Sequence, residues 1–190
     1  MKIATVLGSP RKKGNTSKVL AWVEESLEAH DHRVDRIRLV DHKINGCKGE
    51  WTCKKFLDEP GCPEKDDAVA ILGRLMDSDL VLYATPVYFW GPTAQMKAFI
   101  DRHCSLVTGY GTANWRSLMQ GKRIGVVATC QEAVENNADL LLETFTRLSV
   151  YLKCTDMGAL VIPHANAPEA LGDPARAQAI AFADQISGQQ

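Results

Sequence analysis

Short apolar runs and longer segments of helical period alternate along the chain. The apolar runs predict strands at residues 2–7, 34–40, 79–84, 122–129 and 157–162. Between these runs, apolar residues recur every three or four positions, as on the buried face of a helix. The predicted helices cover 67–76, 137–152 and 173–187, with two more whose buried faces carry Val19, Leu20, Val23 and Leu27, and Met96, Phe99 and Ile100.

Two helix starts have a local signal. We expect Asp173 to cap the last helix, ahead of Pro174, because a short carboxylate side chain can accept a hydrogen bond from the first turn. We also expect Pro92 to lie in the first turn of the third helix, where its missing N–H costs nothing.

Strands that alternate with helices, joined by right-handed crossovers, predict the α/β class and a doubly wound parallel sheet. We expect five strands in the order 2-1-3-4-5 with helices on both faces. In this arrangement ligands bind beyond the carboxyl ends of the strands, where the winding reverses between strands 1 and 3. The loops after strands 1, 3 and 4 should therefore carry the functional residues.

The loop after strand 1 has the composition of an anion site. Gly8 and Gly14 allow the backbone to approach a ligand, and the loop leads into a helix N-terminus, which favours negative charge. The side chains suited to a phosphate monoester are Ser9, Arg11, Asn15, Thr16 and Ser17. The triphosphate-loop and dinucleotide glycine motifs are both absent. The alternative is that Thr16 or Ser17 merely caps the helix.

The loop after strand 3 places three aromatic residues in succession, in a chain with only 7% aromatic residues. It runs through Pro86, Val87, Tyr88, Phe89 and Trp90. Rings at the edge of such a crevice stack on a flat ligand or pack against protein. For Phe89 and Trp90 taken singly, a core position or a subunit contact remains an equal alternative.

The two segments GSPRKKGNTSKVL and TPVYFWGPTAQMKAFIDR together resemble the flavodoxin-like NAD(P)H-dependent FMN reductase family. The resemblance implies that the first loop holds the FMN phosphate and that residues 86–90 border the isoalloxazine ring. It also implies that Thr129 and Cys130, after strand 4, reach the other edge of the ring, and that the protein is a homodimer. One departure is Gly91, where the family commonly has Ser before the proline.

The function that this resemblance implies is an FMN-dependent oxidoreductase. It would pass hydride from NAD(P)H to bound FMN and then electrons to a flavin, a quinone or another small acceptor. Because the cofactor carries the chemistry, no catalytic side chain is expected. The alternative is a flavodoxin-type or iron–sulfur-flavoprotein-like electron carrier that does not turn over a pyridine nucleotide. A receiver domain or a cysteine phosphatase is disfavoured, since the first loop has neither acidic residues nor a cysteine.

Three cysteines lie in the long segment after strand 2, at Cys47, Cys53 and Cys62. Iron–sulfur flavoproteins, a related branch, carry a compact four-cysteine motif in this region, whereas Glu50 stands here where the second cysteine would fall. An iron–sulfur or structural zinc site normally needs four ligands, and only His42 is at hand to complete a zinc site. We therefore expect no metal, with reduced thiols; a redox pair of Cys53 and Cys62 is the remaining alternative.

Composition and charge argue against some classes of function and some cellular locations. A net charge of −1, without a basic cluster, argues against nucleic-acid binding. No apolar run approaches the length of roughly 18 residues that a membrane span requires, and residues 1–7 lead directly into a strand rather than a leader sequence. We expect a cytoplasmic protein that forms a single domain over residues 1–190.

Overall fold

The computed structural model describes residues 1–188. Its strands are β1 Lys2–Leu7, β2 Arg33–Arg38, β3 Leu80–Pro86, β4 Val107–Thr108, β5 Arg116–Ser117, β6 Arg123–Thr129 and β7 Thr155–Ile162. Its α-helices are α1 Asn15–Ala29, α2 Ala68–Met76, α3 Ala94–Arg102, α4 Asp139–Tyr151 and α5 Asp173–Ser187. Within the described residues, no helix is long and apolar enough to cross a membrane.

The predicted topology is confirmed. Five parallel strands form one sheet in the order β2-β1-β3-β6-β7, so β6 and β7 are the fourth and fifth strands of the predicted 2-1-3-4-5 arrangement. The winding reverses between β1 and β3, and the carboxyl ends of the strands lie at one edge. The pairing of β4 with β5, a two-residue antiparallel ladder, was not predicted because neither strand is long enough to show a period.

Helices cover both faces of the sheet, as the period-2 pattern of its strands requires. In β1, Ile3 and Leu7 pack with apolar residues of α1 and α5. The alternate residues, Ala4 and Val6, join the core beneath α2, α3 and α4. Each strand therefore contributes to two separate apolar cores, which fix its register and hold the strand ends in a common position.

Several predicted boundaries were wrong for local reasons. β2 ends at Arg38 because Leu39 opens a short 3₁₀ turn. β7 begins at Thr155, two residues early, and carries an irregularity near Gly158, whose φ is +81°. Asp173 is the first residue of α5 and not its cap, which is Gly172.

Two further helix starts also differ from prediction. α3 begins at Ala94, after Thr93, whose side chain caps the helix by accepting a hydrogen bond from the Met96 N–H at 3.2 Å. Pro92 thus precedes the cap. α4 begins at Asp139, because residue 138 still has the turn conformation of the preceding loop.

A polar pair is buried in the core between β3 and the end of α3. The His103 Nδ1 lies 2.9 Å from the Phe99 carbonyl oxygen, which can only accept a hydrogen bond. The Nε2 is therefore the acceptor for the Tyr83 hydroxyl, at 2.6 Å. Burial favours the neutral imidazole and lowers the pKa of His103 to about 4.

We predict that His103 makes folding sensitive to acid. The unfolded chain takes up a proton on this imidazole near pH 6.5, whereas the folded chain does so only near its pKa of about 4. Because the unfolded state then binds more protons, the free energy of unfolding should fall by up to about 3 kcal/mol between these pH values.

Urea denaturation at a series of pH values tests this in the wild type and in His103→Gln, which keeps a donor and an acceptor at the site. The variant should lose less stability than the wild type between pH 6.5 and pH 4. Parallel profiles would show that another group causes the acid loss.

Candidate functional site

The first turn of α1 presents unpaired backbone donors. Gly14 is the N-cap residue, no side chain within residues 1–188 caps the helix, and its first turn contains no acidic residue. The first amide that bonds along the helix is that of Lys18, to the Gly14 oxygen at 3.0 Å. The N–H groups of residues 15–17 are therefore left for another acceptor. This excludes the alternative in which Thr16 or Ser17 caps the helix.

The loop between β1 and α1 is pressed against α3. A Cβ added at Gly8 would lie 2.7 Å from the Met96 Cβ, so only glycine fits there. The Thr93 hydroxyl donates a hydrogen bond to the Gly8 oxygen at 2.7 Å, and the Thr93 N–H donates to the Thr85 hydroxyl at 3.2 Å. The loop after β1 is thereby tied to the start of the helix that follows β3.

Hydrogen bonds also join the first loop to those after β6 and β7. The hydroxyls of Thr16 and Thr129 lie 2.7 Å apart and are buried. The Asn15 amide nitrogen donates to the Ala165 oxygen, and the Ala165 N–H donates to the Cys130 oxygen at 2.9 Å. Four strand ends therefore share one edge whose loops are held together.

The aromatic residues after β3 sit on a tight turn. Tyr88 and Gly91 exchange two backbone hydrogen bonds, of 2.8 and 3.1 Å. The central residues, Phe89 and Trp90, have φ values of +47° and +62°, which bulky side chains adopt only at a cost of about 1–3 kcal/mol each. Phe89 is 93% exposed. The turn therefore holds these aromatic side chains in exposed positions at the cost of backbone strain.

A cavity of about 440 Å³ opens between these loops, within the size range of small-molecule sites. Ten of the twelve predicted residues line it: Ser9, Arg11, Asn15, Thr16, Pro86, Val87, Tyr88, Phe89, Thr129 and Cys130. The other two are turned elsewhere. The Ser17 hydroxyl accepts a hydrogen bond from the Arg36 guanidinium at 3.0 Å, and the Trp90 indole N–H donates to the Asn136 oxygen at 3.0 Å.

Four further residues line the cavity. Gly14 and Gln131 lie beside predicted positions, whereas Ala165 and Asn166 follow β7 and were missed. Only the topology of the sheet could have indicated Ala165 and Asn166. The carboxyl end of the fifth strand lies at the same edge as the others, and His164, with a φ of +54°, turns the chain back toward the cavity.

The charge at one end of the cavity is positive. Among the described residues, none forms a hydrogen bond or ion pair with the Arg11 guanidinium, although its backbone N–H donates to the Ser9 hydroxyl at 3.2 Å. Lys12 and Lys13 follow on the exposed side of the loop. Lys18, in contrast, is used by the protein itself, with Nζ donating to the Pro168 oxygen at 2.6 Å.

The other end of the cavity is largely uncharged. Burial, and then the nearby Glu132 carboxylate, raise the pKa of the Cys130 thiol, so this side chain stays neutral. The Cys130 thiol donates to the Glu132 carbonyl oxygen at 3.3 Å. This end of the cavity therefore carries no ionised thiol.

One buried atom inside this frame lacks a partner. The Asn15 Oδ1 has no hydrogen-bond donor among the described residues, because the amide nitrogen of the same side chain is turned to Ala165. A buried acceptor without a donor is unfavourable. A donor group of a ligand would reach this oxygen only if the Asn15 side chain turned toward the cavity that Asn15 lines.

Comparison with known proteins identifies a matching family and several relatives. Residues 1–167 match the model of a family described as NADPH-dependent FMN reductase. An iron–sulfur flavoprotein of Archaeoglobus fulgidus is 42% identical over 102 residues, which make up 54% of this chain and 45% of that protein. The chain spans about half the length of the curated relatives it matches.

Solved structures share the fold. An FMN-dependent NADH-azoreductase of Bacillus anthracis, solved in complex with FMN, superposes with a TM-score of 0.72 at 13% identity, covering 98% of this chain and all of that one. A quinone reductase structure from Klebsiella pneumoniae has the same TM-score at 20% identity, covering 98% of this chain and 84% of that one. At such identities these similarities show the fold alone.

The cysteine segment does not fit the cluster that the relatives' names imply. It holds three cysteines, and Glu50 lies midway between Cys47 and Cys53. Within residues 1–188, no group of three His, Cys, Asp or Glu side chains is arranged to hold a metal ion. His42, which could have completed a zinc site, instead lies 3.6 Å from the Asp67 carboxylate.

Proposed function

The chain belongs to the NADPH-dependent FMN reductase family, and from this premise we propose that it is an FMN-dependent oxidoreductase. It takes hydride from NAD(P)H and passes electrons to a small acceptor. The observation that carries this proposal is the polarity of the cavity. Unpaired N–H groups and Arg11 lie at one end, and an apolar wall with aromatic residues lies at the other.

The cationic end suits the phosphate of FMN. The amides of residues 15–17 point their dipoles out of the α1 N-terminus, and Arg11 is free to pair with two phosphate oxygens. The Ser9 and Thr16 hydroxyls lie in the same lining. Ser17 contributes its backbone N–H, since its hydroxyl is held by Arg36.

The middle of the cavity suits a chain of hydroxyl groups. Asn15 Oδ1 has no donor among the described residues, so once its side chain turned toward the cavity it would repel a phosphate oxygen but accept a hydrogen bond from the ribityl chain of FMN. The sequence-based assignment of Asn15 to the phosphate is therefore refined: we assign its oxygen to the ribityl hydroxyls.

The apolar end suits the isoalloxazine ring. Pro86, Val87 and Tyr88 form one wall, and the segment from Thr129 to Gln131 approaches from the next strand. When bound, FMN accepts hydride from a nicotinamide and passes electrons on, which is the chemistry that the cofactor supplies. The residues of the chain hold and orient the ring, and the neutral Cys130 thiol places no charge beside it.

The donor and acceptor belong to the same proposal. The family description favours NADPH as donor, and the open aromatic turn offers a stacking surface for an acceptor such as a flavin or a quinone. We also propose a homodimer, because Phe89 exposes 93% of its surface beside the cavity and a second subunit would cover it.

Anaerobic absorbance spectroscopy tests the proposed reaction. The protein is incubated with FMN, freed of excess cofactor, and treated with NADPH or NADH. We expect retained flavin that loses its visible absorbance on addition of NADPH. Flavin that is retained but stays oxidised with both nucleotides would support the electron carrier instead, and no retention would contradict the cofactor assignment.

We predict that Arg11→Ala weakens FMN binding by about 10- to 100-fold, because it removes a charge-assisted hydrogen bond worth about 1.5–3 kcal/mol. Lys13→Ala is the matched control, since it removes the same charge from the same loop but lies outside the cavity lining. Fluorescence titration with FMN measures both affinities. Equal losses of FMN affinity in the two variants would contradict a specific contact with Arg11. They would show that only the total positive charge of the loop affects binding.

A further inference from the structure

A second cleft lies beside the first turn of α1, next to the proposed FMN site. The β1–α1 loop and this turn contribute to both places. Arg11 and Thr16 line the large cavity, whereas the residues that follow them, Lys12 and Ser17, line the cleft. The rest of its lining comes from α1, from β2 and from a short 3₁₀ turn after β7. Within the described residues, the two linings share no member.

Cationic side chains from three elements converge on this cleft. They are Lys12, Lys13, Lys18 and Arg36, and Glu169 is the acidic residue of the described lining. Within residues 1–188, Glu169 forms no ion pair with any of these four cations. The Lys12 Nζ lies 3.8 Å from the Asp41 carboxylate, but both side chains are exposed to solvent, so this pair holds Lys12 only weakly.

Two of these lysines keep their charge uncompensated. The Lys18 Nζ donates to the backbone oxygens of Pro168 and Leu171, at 2.6 and 3.2 Å. Both acceptors are uncharged, so the ammonium group is held in place without being neutralised. Lys13 is exposed, and its side chain forms no ion pair or hydrogen bond with the described part of the chain. Even with Glu169 set against one of the two lysines, the cleft remains positive and attracts an anion.

The Ser17 hydroxyl adds a directed donor to the cleft. Ser17 is only 9% exposed, and its Oγ accepts a hydrogen bond from the Arg36 Nη2 at 3.0 Å. The same nitrogen donates to the Ser17 backbone oxygen at 3.1 Å, and the Arg36 Nη1 lies 3.2 Å from the Glu24 carboxylate. Because a guanidinium can only donate, the hydrogen of the Ser17 hydroxyl is left over, and no described residue accepts it. This O–H is available to an acceptor that enters the cleft.

We propose that this cleft binds the 2′-phosphate of NADPH and thereby selects NADPH over NADH as the hydride donor. The inference rests on the proposed function, because it requires a nicotinamide that reacts at bound FMN. A phosphate monoester carries a charge of about −1.5 to −2 at pH 7 and has strong acceptor oxygens, which match lysine ammonium groups and a free hydroxyl donor. NADH has an uncharged hydroxyl at the same position, so the lysines would contribute little to its binding.

The position of the cleft suits the adenosine end of a dinucleotide. In the proposed function the nicotinamide lies at the aromatic end of the large cavity, so the rest of the donor must leave over one rim of that cavity. The rim at residues 11–13 consists of three successive cations and leads directly into the cleft. Arg11 and the α1 N–H groups are committed to the phosphate of FMN. A second phosphate therefore needs cations of its own, and Lys12, Lys13 and Lys18 provide them.

Titration of the FMN-loaded protein tests the site without any turnover. The probes are adenosine 2′,5′-bisphosphate, AMP and inorganic phosphate, each followed by isothermal titration. We expect the bisphosphate to bind at least about tenfold more tightly than AMP, and Ser17→Ala and Lys13→Ala to reduce this difference. Lys65→Ala is the matched control, since it removes an exposed lysine outside both linings. Inorganic phosphate that binds as tightly as the bisphosphate would assign the cleft to free phosphate and overturn the inference.

Anaerobic single-turnover reduction then connects the site to the donor. The rate at which bound flavin loses its absorbance is measured against NADPH or NADH concentration, which gives a dissociation constant for each donor. Lys13→Ala should raise the constant for NADPH about tenfold and that for NADH less than about twofold, while Lys65→Ala keeps the wild-type ratio. Reduction with equal constants for both donors in the wild type would contradict this inference alone. Flavin that stays oxidised with both nucleotides would contradict the proposed function as well.

Discussion

The unpaired N–H groups in the first turn of α1 are the constraint on which the candidate site depends. A side chain at the N-cap position commonly accepts a hydrogen bond from one of these N–H groups. In α1 the N-cap residue is Gly14, which has no side chain to do so. The surrounding loops are arranged to leave the donors open. Thr16 is turned to Thr129, Ser17 to Arg36, and Gly8 is pinned by Thr93. These donors lie at the point where the sheet reverses direction, which suits the phosphate site that we propose.

The fold could be predicted from the sequence because its signals are local and periodic. β1 and α5 have the predicted bounds, and the strand order follows from alternation and the handedness of the crossovers. The predicted loops gave ten of the cavity-lining residues. Side-chain direction was beyond prediction. Whether the Ser17 hydroxyl in α1 faces the cavity depends on Arg36 in β2, 19 residues further along the chain.

Long-range contacts explain the remaining misses in the same way. Trp90 turns from the cavity to Asn136, and Ala165 enters it through bonds to Asn15 and Cys130. No local pattern marks such pairs. The positive φ values of Phe89 and Trp90 could not be predicted either, because glycine and asparagine are the residues usually found in such turns. Strain of this kind is compatible with a ligand-binding edge, where it presents side chains that an unstrained turn would not.

The cysteine segment between β2 and α2 is held in place by several polar contacts. Arg102 and Asp66 form a buried ion pair, Lys48 and Glu64 form another pair 2.6 Å apart, and Lys54 donates to the oxygen atoms of Cys104 and Val107. These contacts anchor the segment to the end of α3 and to β4. The position of this segment is therefore set by contacts with the rest of the protein.

We propose that the α1 N-terminus and Arg11 recognise the phosphate of FMN. The most direct measurement is isothermal titration of the protein with FMN and with riboflavin, which has the same ring and ribityl chain but no phosphate. We expect FMN to bind at least about 100-fold more tightly than riboflavin, since two or more charge-assisted hydrogen bonds are lost without the phosphate. Equal affinities for the two flavins would contradict it.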